Sequence, residues 1–323
     1  MASKGERLRR LIEAPEIVVM PGVFDGFSAR LVQQAGFASA LISGAGLSED
    51  RLGWPDVGLM GLAENVEGCK VIANCTDLLL VADGDTGYGN AVNVYFTIKA
   101  LERAGVAGVM IEDQVWPKRC GHMAGKEIIP AEEMVQKVRA ACDAREDPNL
   151  VIKARTDAAG PVGLDEAIRR GNLYAEAGAD LLFADALLSA DDIARFCHSV
   201  PKPVAVNMGF GIRRRSTTPL LSVRELQEMG VAVVEFPRML TAAAIGGMMR
   251  AMEAFRESLA TGRVVERPEL LVSFEELNNL MGFPWIQQLE RRYLTEAQLK
   301  AKYGRGEDAG ASRHDAALAS GGN

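Results

Sequence analysis

Residues 78–113 read LLLVADGDTGYGNAVNVYFTIKALERAGVAGVMIED, and this stretch contains a complete strand–helix–strand pattern. The apolar run at Leu78–Ala82 predicts a buried strand, and apolar residues at i, i+3 and i+4 over Ala91–Ala104 predict a helix. A glycine follows that helix at position 105, where helices commonly end, and a second apolar run begins at Gly108. Two buried strands joined by a helix predict parallel neighbours in one sheet.

The same alternation continues along most of the chain. Eight strand–helix units in about 240 residues are what a (β/α)₈ barrel requires. A doubly wound open sheet is the competing architecture, but the first strand–helix turn, PGVFDGFS at 21–28, lacks the GxGxxG fingerprint. Polar residues also follow several strands, as barrel sites require, so the α/β sequence favours a (β/α)₈ TIM-type barrel. The predicted strands are Ile17–Met20, Ala40–Ser43, Leu78–Ala82, Gly108–Ile111, Val151–Ala154, Leu181–Ala184, Val204–Asn207 and Ala232–Phe236.

The pattern changes after about residue 262. Two further helices are predicted at Phe274–Leu280 and Trp285–Tyr293, and their apolar residues favour packing on the barrel or on another subunit. The last residues are rich in Gly, Ala, Ser and charge. We therefore predict a barrel over residues 1–262, C-terminal helices over 263–303 and a disordered tail over 304–323.

Composition limits the class of protein. The 323 residues include 36 Lys and Arg against 43 Asp and Glu, a net charge of −7, which argues against nucleic-acid or anionic-membrane partners. No apolar run is long enough to span a bilayer, and no secretory signal is apparent. Five cysteines without a CxxC pair are typical of reduced thiols, so we expect a cytoplasmic protein.

Carboxylates follow two neighbouring strands. Asp83 and Asp85 lie in ADGDTGYGN at 82–90, and residues i and i+2 of an extended backbone point the same way. Glu112 and Asp113 follow the next strand. Hard oxygen ligands beside a Gly-rich turn suit Mg²⁺, whereas a solvated Asp-Gly turn is the alternative.

The segment IEDQVWPKRCGHMAGK at 111–126 contains the thiol most suited to chemistry. Cys120 lies beside Lys118, Arg119 and His122, and cationic neighbours make a thiol a better acid or base near neutral pH. The glycines at 121 and 125 are typical of a mobile loop and argue against the alternative of a buried inert thiol. The other four cysteines lie on predicted helices and are interpreted as packing residues.

Groups that bind anions follow other strands. Arg155 in KARTDA suits a carboxylate or phosphate held bidentately, and the backbone amides of the turn at 43–46 can hold an anionic oxygen. Together with the carboxylates and the thiol, these groups predict a divalent metal that holds a small 2-oxo or 2-hydroxy acid while an enolate forms or is protonated. The remaining candidates for substrate binding are Asp56, Asp185 and Asn207.

These motifs resemble the isocitrate lyase and phosphoenolpyruvate mutase superfamily over about residues 15–300. The most specific element is KRCGHMAGK at 118–126. The motifs that accompany it in the family's order are MPGVFDGFSA at 20–29, SGAGLS at 43–48, LGWPDVG at 52–58, DGDTGYGN at 83–90 and ARTDA at 154–158.

The resemblance implies a barrel whose eighth helix is exchanged between subunits of a homodimer or homotetramer. It also implies Mg²⁺, or Mn²⁺, at Asp85, with Asp83 and Glu112 holding the ion partly through water. It assigns the proton transfer to the enolate to Cys120, on a loop that closes over the substrate together with Lys118, Gly121 and His122. The remaining implied site residues are Ser43, Gly44 and Ala45, whose amides hold the oxoacid carboxylate, Arg155, which helps them, and Asp56 in an active-site loop.

The cysteine indicates the carbon–carbon lyase branch. The implied reaction cleaves a small anionic 2-hydroxy di- or tricarboxylate to pyruvate or glyoxylate and a second carboxylic acid. A carboxyphosphonoenolpyruvate mutase-like enzyme, an oxaloacetate hydrolase or decarboxylase, and a binding protein without catalysis are the alternatives. The chain departs from the family at two places. Asp185 is one methylene shorter than the family's glutamate, and the loop at 206–219 lacks the family's glutamate and gains Arg213–Arg215. The changes in the loop favour a more anionic substrate, with a longer loop of solvated arginines as the alternative.

Overall fold

The fold is a closed barrel of eight parallel strands in chain order. The computed structural model describes residues 2–120, 125–209 and 218–304. The barrel prediction is therefore confirmed, and all eight predicted strands are present, with the first and fifth extending further than predicted. The strands are β1 (Val18–Val23), β2 (Ser39–Ile42), β3 (Leu79–Asp83), β4 (Gly108–Glu112), β5 (Val151–Thr156), β6 (Leu181–Ala184), β7 (Val204–Asn207) and β8 (Val233–Phe236).

Helices alternate with the strands, and those predicted at 91–104, 274–280 and 285–293 are confirmed. The helix at the N-terminus was not predicted, although Leu8 and Ile12 on it are buried in the inner core of the barrel. The helices are α1 (Lys4–Ile12), α2 (Gly26–Gln34), α3 (Gly44–Leu52), α4 (Leu62–Cys75), α5 (Ala91–Arg103), α6 (Ala131–Ala144), α7 (Leu164–Glu176), α8 (Ala190–Ser199), α9 (Val223–Glu228), α10 (Met239–Thr261), α11 (Phe274–Leu280), α12 (Phe283–Tyr293) and α13 (Glu296–Tyr303).

The barrel interior changes from apolar to charged along the strands. Inward-facing residues such as Leu79, Val81 and Leu181 form an apolar inner core. At the carboxyl ends of β4 and β5, the register places Glu112 beside Arg155. Side chains alternate between the two faces of a strand, so every second residue points into the barrel. At the carboxyl ends of these strands the inward-pointing residues are charged. The fold therefore collects the polar residues at that end of the barrel.

The chain divides into two compact units, the first ending at Gly247 and the second beginning at Met248. The second unit exposes large apolar side chains, among them Phe255, Phe274 and Trp285. The predicted domain limits, the exchange of the eighth helix and the packing of the C-terminal helices stay predictions. The tail predicted over 304–323 lies, apart from its first residue, outside the described residues. Among the described helices, none combines the length and the apolar character needed to cross a bilayer.

Candidate active site

The carboxyl ends of the strands surround a cavity within the first unit. Most of the site residues proposed from the sequence line this cavity or contact a residue that lines it. Those that contact a lining residue without lining the cavity themselves are Gly44, Asp85, Glu112 and Asp185. The proposed residues that line the cavity are Ser43, Ala45, Asp56, Asp83, Lys118, Cys120, Arg155 and Asn207.

The acidic residues after β3 are held in a defined arrangement. A carboxylate oxygen of Asp83, Oδ1, accepts a hydrogen bond of 3.0 Å from the backbone N–H of Asp85. The backbone of Asp85 is left-handed, with φ of 50°, and the Tyr88 hydroxyl donates to its Oδ2 at 2.8 Å. A non-glycine residue in this region is strained, and such strain is concentrated at functional sites.

The Ser43–Gly46 segment is the first turn of helix α3 and not the isolated turn expected from the sequence. The Ser43 hydroxyl caps this helix by accepting from the Gly46 N–H at 3.1 Å. The first amides of a helix have no partner within the helix, and its dipole favours anions. A side chain at Gly44 would place its Cβ 2.7 Å from Asp83 Oδ2, so the glycine permits the helix end and the carboxylates to lie together.

Lys118 connects two of the acidic residues. Its ammonium lies 2.6 Å from Asp56 Oδ1 and 2.8 Å from Asp85 Oδ1, and the side chain is buried. Burial alone would lower the pKa of Lys118, but the carboxylates around it, with Asp85 first, raise that pKa well above its usual value. The lysine is therefore a permanent cation inside the carboxylate cluster.

The carboxylate cluster carries more negative charge than its protein partners balance. Burial and then the neighbouring Asp85 raise the pKa of Asp83 to about 6, against the opposing effect of Lys118. Burial also raises the pKa of Glu112 well above its ordinary value, and neither carboxylate oxygen of this residue has a hydrogen-bond partner among the described residues. Buried carboxylates in this state fit a hard divalent cation.

The structure also limits how such a cation would be held. Among residues 2–120, 125–209 and 218–304, no three His, Cys, Asp or Glu side chains form a ready-made metal cage. Mg²⁺ typically uses one or two carboxylates and keeps several of its waters, so the cluster of Asp83, Asp85 and Glu112 suits this ion.

Arg155 is held by carboxylates from three strand ends. Its guanidinium donates two hydrogen bonds of 2.8 Å to Asp157 and lies 3.2 Å from Glu112 and 3.4 Å from Asp185. Burial opposes the charge, but these acids, with Asp157 first, raise the pKa of Arg155 well above its usual value. The guanidinium is therefore fixed in place as a cation at the wall of the cavity.

A second buried lysine was missed by the sequence analysis. Lys126 Nζ donates hydrogen bonds of 2.7 Å to Asp157 Oδ1 and to Asp185 Oδ2. Asp185 also accepts from the Asn207 side-chain amide at 3.3 Å. The only available signal was the position of Lys126 at the end of the cysteine segment, since its partners lie 31 and 59 residues away.

The stem that leads to Cys120 is pinned to the barrel. The buried side chain of Gln114 accepts from the Arg119 N–H and donates to the Arg119 carbonyl, both at 2.9 Å. Cys120 itself is half-buried at the cavity. By contrast, Cys69 is fully buried, and burial raises its pKa to about 12, as expected of a packing residue. Gly121, His122 and Arg213–Arg215 lie outside the described residues.

The sequence analysis missed six other residues of the cavity wall, of which Leu41 and Met110 are apolar residues of β2 and β4. Glu235 and Pro237 come from the end of β8 and its loop, and Phe183 comes from β6. Arg238 lines the cavity and forms an ion pair of 2.6 Å with Glu49 on α3. A charged residue inside the apolar run AVVEF was the signal for Glu235, because such a residue must face a polar interior or a partner.

Asp113, which follows Glu112 directly, belongs to the scaffold. It faces away from the cavity and accepts hydrogen bonds from the Thr156 hydroxyl at 2.8 Å, the Tyr174 hydroxyl at 2.7 Å and the Arg170 guanidinium at 2.9 Å. Adjacent residues of a strand point to opposite faces, which separates the two acids. Asp113 thereby ties β4 and β5 to helix α7.

Replacing Asp113 with alanine is expected to lower the free energy of unfolding by about 3–5 kcal/mol, because removing one partner of a buried ion pair leaves the other uncompensated. Urea unfolding monitored by circular dichroism measures this loss. The control is Asp143→Ala, which removes an exposed acid on α6 and should change the value by about 0.5 kcal/mol or less. Equal stabilities of the two variants would contradict the scaffold role.

Comparison with known protein families finds matches over most of the chain. The family model described as phosphoenolpyruvate phosphomutase matches residues 8–256. The chain is 39% identical to 2,3-dimethylmalate lyase of Eubacterium barkeri, over 90% of this chain and 98% of that protein. It is 44% identical to a probable 2-methylisocitrate lyase of Corynebacterium glutamicum, over 76% and 78%. It is 39% identical to a chloroplastic carboxyvinyl-carboxyphosphonate phosphorylmutase of Arabidopsis thaliana, over 89% and 84%.

Solved structures of similar fold include several organic-acid enzymes. A crystal structure of 2,3-dimethylmalate lyase has a TM-score of 0.83 at 31% identity, covering 92% of this chain and 97% of that one. Oxaloacetate acetylhydrolase with 3,3-difluorooxalacetate has a TM-score of 0.82 at 32% identity, with 90% and 96% covered. Phosphonopyruvate hydrolase with oxalate and Mg²⁺ has a TM-score of 0.79 at 29% identity, with 91% and 100% covered.

Proposed function

The chain belongs to the phosphoenolpyruvate mutase/isocitrate lyase superfamily, and we propose that it is a Mg²⁺-dependent carbon–carbon lyase. Its substrate is a small anionic 2-hydroxy di- or tricarboxylate, which it cleaves to pyruvate or glyoxylate and a second carboxylic acid. The observation that carries this proposal is that one cavity is lined by Cys120, Arg155 and Asp83, a thiol, a guanidinium and an unbalanced carboxylate.

The carboxylate cluster supports the proposed cofactor. Asp85 would hold Mg²⁺, or Mn²⁺, with Asp83 and Glu112 contributing through water. When bound, the cation stabilises negative charge on the oxygen of the 2-oxo acid fragment. Lys118, which contacts Asp85, offsets part of the negative charge of the cluster when no cation is present.

The other site residues bind the 2-oxo acid fragment and protonate the enolate. The backbone amides of Gly44 and Ala45 at the start of α3 and the Arg155 guanidinium hold the carboxylate and the oxygen of the 2-oxo acid fragment. The C2 hydroxyl loses its proton and becomes the carbonyl of the 2-oxo acid as the bond between C2 and C3 breaks, and the electron pair of that bond stays with C3 as an enolate. The Cys120 thiol then donates its proton to C3 and releases the second acid.

A phosphorus–carbon bond-forming mutase is the second candidate. The phosphorylmutase from Arabidopsis thaliana and the dimethylmalate lyase are equally similar to this chain. Both are 39% identical to it, over 89% and 90% of its length. Product analysis by phosphorus NMR distinguishes the two reactions, because only the mutase creates a carbon–phosphorus bond. Hydrolysis of oxaloacetate is a third candidate reaction, since oxaloacetate acetylhydrolase shares the fold, and carbon NMR detects it through the formation of oxalate.

The first assay combines the protein and Mg²⁺ with isocitrate, 2-methylisocitrate, alkylated malates and oxaloacetate. Pyruvate or glyoxylate is expected from at least one of them, detected as its hydrazone. EDTA is expected to stop the release and added Mg²⁺ to restore it, because the carboxylate cluster requires a cation. Release that continues unchanged in EDTA would contradict the metal requirement, and no release from any compound would contradict the lyase assignment.

The proposal includes a cytoplasmic homodimer or homotetramer. None of the five cysteines, all of which lie among the described residues, forms a disulfide, which suits a reducing compartment. Met248, Met249, Met252 and Leu259 on α10 are 58–68% exposed, an apolar surface that suits burial against another subunit. Light scattering after size-exclusion chromatography measures the mass, and a mass equal to the 34.7 kDa of one chain would contradict the assembly.

A further inference from the structure

A buried ion pair crosses the barrel interior at the base of the candidate active site. Lys153 on β5 and Glu235 on β8 contact each other through the ammonium and Oε2, and they are 0% and 1% exposed. Lys153 lies two residues before Arg155 on the same face of its strand, and Glu235 pairs in register with Asn207. Lys153 therefore lies one layer below Arg155, whereas Glu235 lies at the level of Asn207 in the cavity wall.

Glu235 has capacity for another hydrogen bond. Only its Oε2 contacts Lys153, and its Oε1 is buried with no hydrogen-bond partner in the described parts of the chain. Glu235 also lines the cavity together with Phe183 and Asn207. A buried acceptor without a donor costs roughly 1–3 kcal/mol, so its position at a ligand cavity points to a donor on the ligand.

The lysine is held in place by its surroundings. Its ammonium lies 4.5 Å from the centre of the Phe183 ring, which also lies beneath the Arg155 guanidinium at 5.3 Å. Burial lowers the pKa of Lys153, and Glu235 opposes that effect. An apolar pair of the same size would fill the interior without the free-energy cost of desolvating two charges, so packing does not by itself require these charges.

We propose that Lys153 and Glu235 form a substrate-selecting floor, with Glu235 Oε1 accepting a hydrogen bond from a hydroxyl group on the substrate. This inference rests on the lyase function proposed above and specifies its substrate class. The hydroxyl group is additional to the one at C2 and belongs to a substituent next to the bond that breaks. Lys153 offsets the charge of Glu235, so that the floor accepts a donor without repelling the carboxylates of the substrate.

Two pairs of compounds isolate this hydroxyl group. Tartrate and 3-methylmalate differ by a hydroxyl in place of a methyl group at C3, and their cleavage yields glyoxylate with glycolate or propanoate. The compounds 2-(hydroxymethyl)malate and 2-ethylmalate differ in the same way at C2, and they yield acetate with hydroxypyruvate or 2-oxobutanoate. In each case the C2 hydroxyl loses its proton, the C2–C3 bond breaks and C3 gains a proton, so the reactions are balanced and need no co-reactant.

The test compares kcat/KM for both pairs, each with its separate stereoisomers, in the wild type and in two double variants. The wild type is expected to prefer the hydroxylated member of at least one pair by about 10²-fold, because a site built to bind a hydroxyl rejects the analogue that lacks it. Lys153→Met/Glu235→Leu makes the floor apolar and should abolish or reverse that preference. Lys153→Met/Glu235→Gln keeps a neutral acceptor and should retain most of it.

The control is Lys99→Met/Glu146→Leu, which removes a partly exposed ion pair of 3.2 Å outside the cavity lining and should leave the preference unchanged. A wild type that cleaves the alkyl member equally well or better in both pairs would overturn the inference while leaving the lyase function intact. If the apolar variant keeps the preference of the wild type, the ion pair has only a structural role, and the inference is also overturned.

Calorimetry measures the binding of the same four compounds in the presence of Mg²⁺. Because binding does not require cleavage, this measurement tests the hydroxyl contact independently of the lyase function. If none is cleaved, the lyase proposal fails for this class, but tighter binding of a hydroxylated member that the apolar variant loses would still support the floor. Equal binding of both members in both pairs, or no binding, would reject it.

Discussion

Replacing Cys120 with serine is expected to lower turnover by roughly 10²- to 10⁴-fold, the usual contribution of a positioned general acid. Serine has nearly the same shape, but its hydroxyl is a far weaker acid than a thiol and donates a proton poorly to a carbon atom. The half-buried position of Cys120 at the cavity tolerates the change without a cavity in the core. Steady-state kcat with the substrate identified by the assay panel measures the loss.

The metal affinity of the Cys120 variant is expected to be unchanged, because the thiol is not among the proposed ligands. Titration with Mn²⁺, followed by electron paramagnetic resonance, tests this independently of activity. Cys197→Ser on α8 is the matched control, since burial raises the pKa of that thiol to about 12 and it lies outside the cavity lining. Near-normal turnover of Cys120→Ser would remove this residue from the proton transfer.

Replacing Asp85 with alanine is expected to abolish metal-dependent turnover, even at saturating Mg²⁺. Asp85 is the residue proposed to hold the cation directly, and its Oδ1 also contacts Lys118 at 2.8 Å. Alanine is disfavoured at the left-handed backbone of this position, so Asp85→Asn is the better variant for separating charge from strain. Both variants are expected to be inactive, and the asparagine form is expected to keep the stability of the wild type more closely.

Manganese binding measured by electron paramagnetic resonance is the readout for the Asp85 variants that does not depend on turnover. The affinity for Mn²⁺ is expected to fall in both, whereas Asp191→Asn, which changes an exposed acid on α8, should leave affinity and turnover unchanged. Activity of Asp85→Ala equal to that of the wild type at saturating Mg²⁺ would exclude Asp85 from the site.

The barrel and most of its cavity residues could be predicted because their signals are local. The period of the apolar residues indicates strand or helix, and the residues that directly follow parallel strands meet at one end of a barrel. Local signals also caused the errors. The glycines at 44 and 46 suggested a turn, whereas Ser43 caps a nine-residue helix there. Glu112 and Asp113 were grouped as neighbours, although the strand directs them to opposite faces.

The sequence by itself determined the eight-stranded barrel and the chemical types gathered at its open end: carboxylates, a guanidinium and one thiol. Only the tertiary structure decided which charges are paired. Lys118 joins Asp56 to Asp85, and Lys153 meets Glu235 across 82 residues of chain. The physical reason is that a buried charge is stabilised by whichever opposite charge closure of the barrel brings within reach, and such distant partners have no periodic signature in the chain.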